Sequence, residues 1–282
     1  MSEQSLSILP EFSVIKLSGQ DAYSFLQGQV TCDVNKLKEQ AFLPGCHCNA
    51  KGKMWSTFIA LPQNDDILLL LTKESAEVSL AELNKYGVFA KVDITDDSDN
   101  WSVYGAASKE LNTLASADYI IELTTEHVLA LSSEAISDAS QDNNSWWQRE
   151  ILSGRAHLFA TTAGEYVPQM LNLQALDYIS FNKGCYMGQE MVARMRYLGK
   201  NKRALYLAQT DQDLDITVGT DVALEINGNK RNIGKVIQSR AAKGKTVLQL
   251  VLPKDTELSE KIYLDAEQDI ELSLLELPYA LD

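Results

Sequence analysis

The sequence predicts an α+β fold with a small β-barrel at its C-terminal end. Up to residue 202, strand-like and helix-like patterns follow each other without the regular strand–helix alternation of a parallel sheet. From Arg203 onward, short β-rich runs are separated by turn residues, and no convincing helical pattern lies between them. We therefore expect a boundary near Arg203, with an α+β region over 1–202 and a barrel over 203–282.

The N-terminal region opens with a strand over Phe12–Leu17 and a helix over Asp21–Val30, where apolar residues recur at helical spacing. Two further runs, Met54–Leu61 and Ile67–Thr72, predict a hairpin whose second strand is buried on both faces. The later elements of this region are a helix over Glu74–Tyr86 ended by an αL Gly87, strands over Val88–Ile94, Trp101–Ala106 and His127–Leu131, and a helix over Trp146–Leu152 ended by Gly154.

The C-terminal region contains five predicted barrel strands. They are Ala204–Ala208, Val222–Ile226, Ile233–Ser239, Thr246–Leu252 and Ile270–Leu274. Asn227-Gly228 favours a type I′ turn because both central positions of that turn need a positive φ, and Lys243-Gly244 predicts a similar turn.

Composition excludes several classes of protein. The 282 residues are 45% hydrophobic and carry a net charge of −14, which is typical of a folded protein with a sizeable core and not of a disordered or fibrous chain. The apolar run Ile67–Leu71 is far shorter than the roughly 20 residues of a membrane span. Met1–Pro10 lacks the pattern of a secretory signal, so we expect a cytoplasmic protein without membrane contact.

Four cysteines are too few and too irregularly spaced for a disulfide framework, so we expect all four to be reduced. Cys46, His47 and Cys48 form a tight cluster that could suggest a metal. Structural zinc sites normally combine such a pair with a second one, which the sequence does not contain. The cluster therefore predicts buried thiols and no metal site.

One segment opposes the acidic character of the chain. Residues 182–203 contain six basic residues and one acidic residue, a net charge of +5, so the rest of the chain carries −19. Such a run is often only a solvated face. Its contrast with an acidic background could instead concentrate an anionic ligand. The predicted anion patch consists of Arg194, Arg196, Lys200, Lys202 and Arg203.

The same segment begins with the run NKGCYMGQEMVAR, residues 182–194. Gly184 and Gly188 flank Cys185 and allow a tight or αL backbone there. A helix starting near Glu190 and the neighbouring Lys183 would both favour the thiolate of Cys185. Since no histidine lies near in sequence to act as a base, a reactive thiol and an inert thiol in a ligand-shaped turn both remain open.

The run K-G-C-Y-x-G-Q-E resembles the signature of the YgfZ family of folate-binding proteins, which are relatives of the glycine-cleavage T-protein. Its residues here are Lys183, Gly184, Cys185, Tyr186, Gly188, Gln189 and Glu190. Further blocks that resemble this family in the same order are Gln27–Thr31, Ala50–Trp55, Pro168–Leu173 and Asn201–Ala204. Together they span most of the chain.

The resemblance implies a ring of three subdomains, two of them intertwined within 1–202 and the third a β-barrel, around a central cavity that holds tetrahydrofolate or a derivative. Two folate-contacting aromatic positions fall on Phe12 and Trp146, although the first is usually Trp in the family; Phe keeps a π face but lacks the indole N–H. The signature loop would border the cavity, with Cys185 in a redox or nucleophilic role.

The resemblance further implies an accessory protein that supports tRNA modification and iron–sulfur enzymes, with folate and such enzymes, including a tRNA-modifying one, as partners. Direct tRNA contact is not expected because −19 of charge surrounds the basic segment. We expect a monomer. Two alternatives remain: a folate-regulated module that docks RNA or protein, and a folate-dependent one-carbon transferase with an unknown acceptor.

Glycine cleavage itself is not expected. The position of the acid that assists transfer in the T-protein falls on Ser79, and Trp55 and Ser56 stand in place of the acidic pair that follows the T-protein's Gly-Gly block. A hydroxyl cannot replace a carboxylate as a general base.

Overall fold

The computed structural model of the protein describes residues 6–199, 201–267 and 269–281. The helices in these ranges are α1 (Ala22–Gln27), α2 (Lys73–Gly87), α3 (Asn144–Leu152) and α4 (Gln189–Tyr197). The strands are β1 (Leu6–Ile8), β2 (Phe12–Ser18), β3 (Leu43–Cys48), β4 (Met54–Gln63), β5 (Asp66–Thr72), β6 (Asp93–Asp96), β7 (Ser102–Ala107), β8 (Tyr119–Glu122), β9 (His127–Ser132), β10 (Arg203–Thr210), β11 (Asp221–Ile226), β12 (Asn229–Ala242), β13 (Lys245–Pro253), β14 (Ile262–Leu264) and β15 (Glu271–Leu275).

Two antiparallel sheets make up the N-terminal part. One has the order β3-β4-β5-β2-β6 and the other β1-β7-β9-β8. The chain starts in the second sheet, forms the first, and then returns to the second, so the sheets are interleaved along the sequence. Strand β5 lies between two cores: Leu69 and Leu71 face α1 and α2, whereas Leu68 and Leu70 face the other sheet. The prediction of a strand buried on both faces is confirmed.

The C-terminal part is a closed six-stranded barrel, β10-β13-β12-β11-β14-β15. All five predicted runs form its strands, and the barrel prediction is confirmed. Strand β14 was not predicted because its three residues are too short to show alternation. Asn227, Gly228, Lys243 and Gly244 all have positive φ, as the two predicted turns require.

The barrel does not stand apart from the rest of the molecule. Leu205 and Leu207 of β10 share one core with Cys46 of β3, Met54 of β4 and Leu171. In the described residues, no helix combines the length and apolar character that crossing a membrane requires.

The sequence analysis was wrong about the segment after α2. Helix α2 includes Gly87, whose φ is not positive, and the next residue, Val88, is still in the αR region. The predicted strand over 88–94 is reduced to β6, which pairs only with the end of β2. Because Val88 and Phe89 have no strand to pair with, they lie in an exposed turn, with 73% and 91% of their surface accessible.

Gly188 is the residue that fixes the start of α4. It has a φ of +81°, and a Cβ built there would lie 2.5 Å from the carbonyl oxygen of Asn49 and 2.9 Å from the Cα of Gly52. The backbone before α4 is therefore in direct contact with the Asn49–Lys53 turn. The prediction of an αL glycine in this loop is confirmed for Gly188, but Gly184 has neither a positive φ nor any atom within 4 Å of a built Cβ.

We expect Gly188→Ala to lower the free energy of unfolding by at least about 2 kcal/mol, because it combines an αL penalty with a backbone clash. Gly184→Ala is the matched control and should change that free energy by no more than about 0.5 kcal/mol. Urea unfolding at neutral pH measures both. Equal effects of the two substitutions would contradict this account of the loop.

Candidate functional site

A cavity of about 1310 Å³ lies where the two sheets of the N-terminal part meet the segment between α3 and α4. The chain after the barrel also reaches this wall through Pro278 and Tyr279. The resemblance implies a cavity bordered by the signature loop, but neither residues 183–190 nor the barrel strands are part of this wall.

Tyr279 joins the end of the chain to the end of α3. Its hydroxyl donates to the carbonyl oxygen of Gly154 over 3.1 Å. Gly154 has a φ of +72°, which confirms it as the residue that ends the helix, and a Cβ there would lie 2.6 Å from the Tyr279 ring. The glycine is thus needed both for the turn and for the tyrosine that lines the cavity.

A buried carboxylate, Glu150 of α3, lies behind one wall of the cavity. His127 Nε2 donates to Glu150 Oε2 over 2.6 Å, and His157 Nε2 donates to Oε1 over 2.7 Å. Arg155 Nε lies 3.1 Å from Oε1, and the same guanidinium donates to the carbonyl oxygen of Leu123 over 2.7 Å. The Glu150 side chain has no exposed surface.

Burial alone would raise the pKa of Glu150, but Arg155 and the hydrogen bonds from both histidines outweigh it and hold the pKa well below its usual range. The carboxylate is therefore ionised. It accepts from both imidazoles, and the Nδ1 atom of His127 lies 3.0 Å from Thr124 Oγ1. His127 and Arg155 also line the cavity, so this network sets the position of part of its wall.

The sequence analysis missed this network. The signal was present in the spacing of α3, because Trp146 and Glu150 are four residues apart and therefore lie on one face of the helix. A charged residue on the same helix face as a predicted buried tryptophan needs partners, and all three histidines of the chain are buried.

Phe12 and Trp146, the predicted folate contacts, lie together in the core beside this network. Their ring centroids are 6.0 Å apart, with the planes at 82°. Phe12 is 7% exposed and stacks on Trp147 at 5.5 Å, and Trp146 is 1% exposed and donates to the carbonyl oxygen of Val128. Neither ring is part of the cavity wall. His127, whose ring centroid lies 5.7 Å from that of Trp146, is a wall residue.

Whether a polar ligand would fit the cavity depends on the polar groups of its wall that have no protein partner. Arg149 Nε and Gln174 Oε1 belong to wall residues, and both atoms are covered without a hydrogen-bond partner among the described residues. Because these two atoms are covered, a ligand in the cavity does not reach them. The terminal guanidinium nitrogens of Arg149 are not among the covered atoms and make no hydrogen bond with any described residue, so they are free to bind an anionic group such as a carboxylate of folate.

The signature loop is attached to the body by Lys183. Its ammonium group donates to the carbonyl oxygens of Gln27, Val30 and Cys32 at 2.7, 2.8 and 2.6 Å, and lies 5.1 Å from the Tyr186 ring centroid. Burial lowers the pKa of Lys183 to about 8, while the three acceptors stabilise its protonated form. Lys183 thus connects the signature loop to the segment Gln27–Cys32.

The separate sequence blocks of the resemblance meet around α4. The Met187 amide donates to the Gly28 carbonyl, and Gln169 Nε2 donates to the Val192 carbonyl over 2.7 Å. Asn201 Nδ2 in turn donates to the Gln169 carbonyl over 2.8 Å. Through these hydrogen bonds, blocks that are far apart in the sequence contact each other in the fold. Within the signature, Tyr186 and Gly188 are buried, Gln189 is half-buried, and Gly184, Cys185 and Glu190 are exposed.

Cys185 is the exposed cysteine of the four, and the other three are buried. Burial raises the pKa of Cys32 to about 12, and it raises the pKa values of Cys46 and Cys48 well above their usual range. The predicted burial of Cys46 and Cys48 is confirmed, and both lie on β3. Any thiol chemistry at the surface therefore falls to Cys185.

The predicted anion patch does not form one cluster. Arg194 pairs with Glu190 at 3.7 Å, Arg203 donates to the carbonyl oxygen of Ile233 in the barrel, and Lys202 is exposed. Arg196 lies over the Phe181 ring at 4.0 Å and lines the cavity. Lys200 lies outside the described residues. The basic segment is thus divided between the cavity, the barrel and the surface.

Ser79 and Ser56, which stand at T-protein acidic positions, lie side by side. Their hydroxyl oxygens are 2.8 Å apart, and Ser79 Oγ is also 2.8 Å from His47 Nδ1. All three side chains are buried, and burial lowers the pKa of His47 to about 4, so the cluster is neutral at pH 7. The carboxylate chemistry of the T-protein is absent from this cluster.

Curated relatives match this chain over nearly its full length. The chain is 36% identical over 309 residues to the tRNA-modifying protein YgfZ of Colwellia psychrerythraea, covering 100% of this chain and 95% of that protein. It is 33% identical to the same protein of Vibrio atlanticus, covering 100% and 94%, and 32% identical to that of Serratia proteamaculans, covering 98% and 93%. No protein-family model matches the chain.

Among solved structures, the fold resembles the glycine cleavage system aminomethyltransferase T from Bartonella henselae. The TM-score is 0.69 at 14% sequence identity, covering 97% of this chain and 85% of that chain. At this identity the likeness concerns the fold, and it confirms the predicted fold class.

We expect Glu150→Gln to lower the free energy of unfolding by roughly 3–5 kcal/mol at pH 7, because it leaves Arg155 buried without its counter-ion. The contribution of Glu150 is present above the ordinary carboxyl pKa of 4.5 and is lost as the pH falls below it, since the folded-state pKa is depressed. Urea unfolding at pH 7 and pH 4 measures both effects. The exposed Glu122→Gln is the control, and a Glu150→Gln protein as stable as this control would refute the assignment.

We expect a thiol reagent such as iodoacetamide to modify one cysteine per native chain, and Cys185→Ser to abolish that reaction. All four cysteines should react after unfolding in urea. Mass spectrometry of the intact protein and of its peptides gives the number and the positions. Comparable modification of Cys32, Cys46 or Cys48 in the native protein would show that the thiols described as buried are accessible.

Proposed function

Since the chain belongs to the YgfZ family, we propose that it is a folate-binding accessory protein that supports tRNA modification and the maintenance of iron–sulfur enzymes. In this proposal the central cavity holds tetrahydrofolate or a derivative. The names of the curated relatives support the tRNA-modifying role, and the T-protein-like fold supports the folate site.

The cavity is the single observation that carries the proposal. Its volume of about 1310 Å³ is ample for a ligand of folate size, since drug-sized ligands occupy pockets of roughly 300–1000 Å³. Its wall contains Arg149, whose terminal guanidinium nitrogens are not covered and have no protein partner among the described residues. A folate carries carboxylates that would pair with this cation.

In this proposal, Phe12 and Trp146 lie behind the wall of the cavity. Trp146 is 1% exposed and packs against the wall residue His127, so a pterin would contact its ring only if the wall rearranged. The direct contact of folate with Phe12 and Trp146 stays a prediction.

Cys185 supplies the accessible thiol of the proposed function. It is exposed in the loop that Lys183 and Gly188 hold against the body, so a partner protein could reach it without any opening of the fold. In this proposal the loop serves redox or nucleophilic chemistry for iron–sulfur enzymes, including one that modifies tRNA.

We expect calorimetry to detect tetrahydrofolate binding in the micromolar range, and Cys185→Ala to retain it. Trp146→Ala should weaken binding at least about tenfold, because the cavity wall rests on this ring. Trp146→Ala also leaves a large cavity in the core, which lowers the free energy of unfolding by about 3–5 kcal/mol. The Trp146→Phe variant and the thermal unfolding of both variants are therefore measured in parallel. Absence of binding by the wild-type protein would refute the folate proposal.

A further inference from the structure

Arg149 differs from the other basic residues that line the cavity. Arg155 is neutralised by Glu150, and Lys36 and Arg196 are exposed, so solvent stabilises their charges. Arg149 is half-buried and its Nε is covered, whereas its terminal nitrogens are not among the covered atoms and make neither a hydrogen bond nor an ion pair with any described residue. It is a half-buried cation that has no counter-ion among the described residues and whose terminal N–H groups a ligand can reach.

The acidic residues of the wall do not satisfy Arg149. They are Asp33, Glu122, Glu126 and Asp177. Asp33 accepts from Gln27 Nε2 over 2.9 Å, and the other three are exposed. A half-buried guanidinium beside a cavity binds most strongly to a ligand that brings a planar anion, since the fork of Arg donors matches a carboxylate.

We propose that Arg149 binds a carboxylate of the ligand in the central cavity. The inference rests on the proposed function, in which the ligand is a folate, and it assigns the glutamate end of that ligand to Arg149. The charge-assisted hydrogen bonds form between the guanidinium N–H groups and the carboxylate oxygens. Arg149 is then a binding residue, and the pterin end is left to the remainder of the wall.

A structural explanation makes a different prediction. Arg149 lies in the last turn of α3, where a cation also interacts favourably with the helix dipole. If that were its only role, Arg149→Gln would change stability and leave ligand affinities in their original ratio. Two ligands therefore separate the roles: tetrahydrofolate, and tetrahydropteroate, which lacks the glutamate.

The experiment measures both affinities by calorimetry for the wild-type protein, Arg149→Gln, Arg149→Lys and Arg231→Gln. Arg231 is exposed on β12 and is the matched control. We expect Arg149→Gln to weaken tetrahydrofolate binding about tenfold to a hundredfold, as loss of a charge-assisted hydrogen bond does, and to leave tetrahydropteroate binding unchanged. Arg149→Lys should restore part of the loss, and Arg231→Gln should change neither affinity.

Each of the other possible results would contradict either the role of Arg149 or the folate proposal. Unchanged affinities for both ligands in Arg149→Gln would overturn the role of Arg149 and leave the folate proposal intact. Equal weakening of both ligands would show that Arg149 shapes the cavity and does not bind the glutamate. A wild-type protein that binds neither ligand would overturn both proposals together.

Discussion

The architecture of the cavity depends on one buried carboxylate. Glu150 has no exposed surface, and an ionised group in such a position is tolerated only with its partners in place. Those partners come from β9, through His127, and from the segment after α3, through Arg155 and His157. Because the hydrogen bonds fix both oxygens of the carboxylate, they also fix the helix, the strand and the segment relative to each other. The wall of the cavity is therefore built around a buried charge.

The signature loop divides its residues between structure and exposure. Lys183 donates hydrogen bonds to three carbonyl oxygens of the Gln27–Cys32 segment, and Gly188 allows α4 to start in contact with the Asn49–Lys53 turn. Cys185 lies between Lys183 and Gly188 in the sequence and is exposed. A cysteine held this way is positioned by its neighbours yet open to a partner, which matches an accessory role better than that of an enclosed catalytic nucleophile.

Local patterns predicted much of the fold, and the reasons for failure are physical. The barrel strands and the two-residue turns followed from alternation and from glycine at positive φ, both of which are local properties. The strand predicted over 88–94 failed because Val88 and Phe89 have the right residue types and no neighbouring strand. The Glu150 network was missed because His127 lies outside α3 in the sequence. The predicted anion patch was wrong as one cluster because Arg203 contacts the barrel whereas Arg196 lines the cavity. Such long-range choices are made by packing, which a single sequence does not display.

The proposed folate site is the cavity bordered by the two sheets and by the end of the chain. A crystal structure of the protein grown with tetrahydrofolate tests this proposal most directly. We expect the ligand inside the cavity, with a glutamate carboxylate within hydrogen-bond distance of the terminal nitrogens of Arg149. Folate bound at the barrel surface or along the exposed face of α4, with the cavity holding only water, would contradict it.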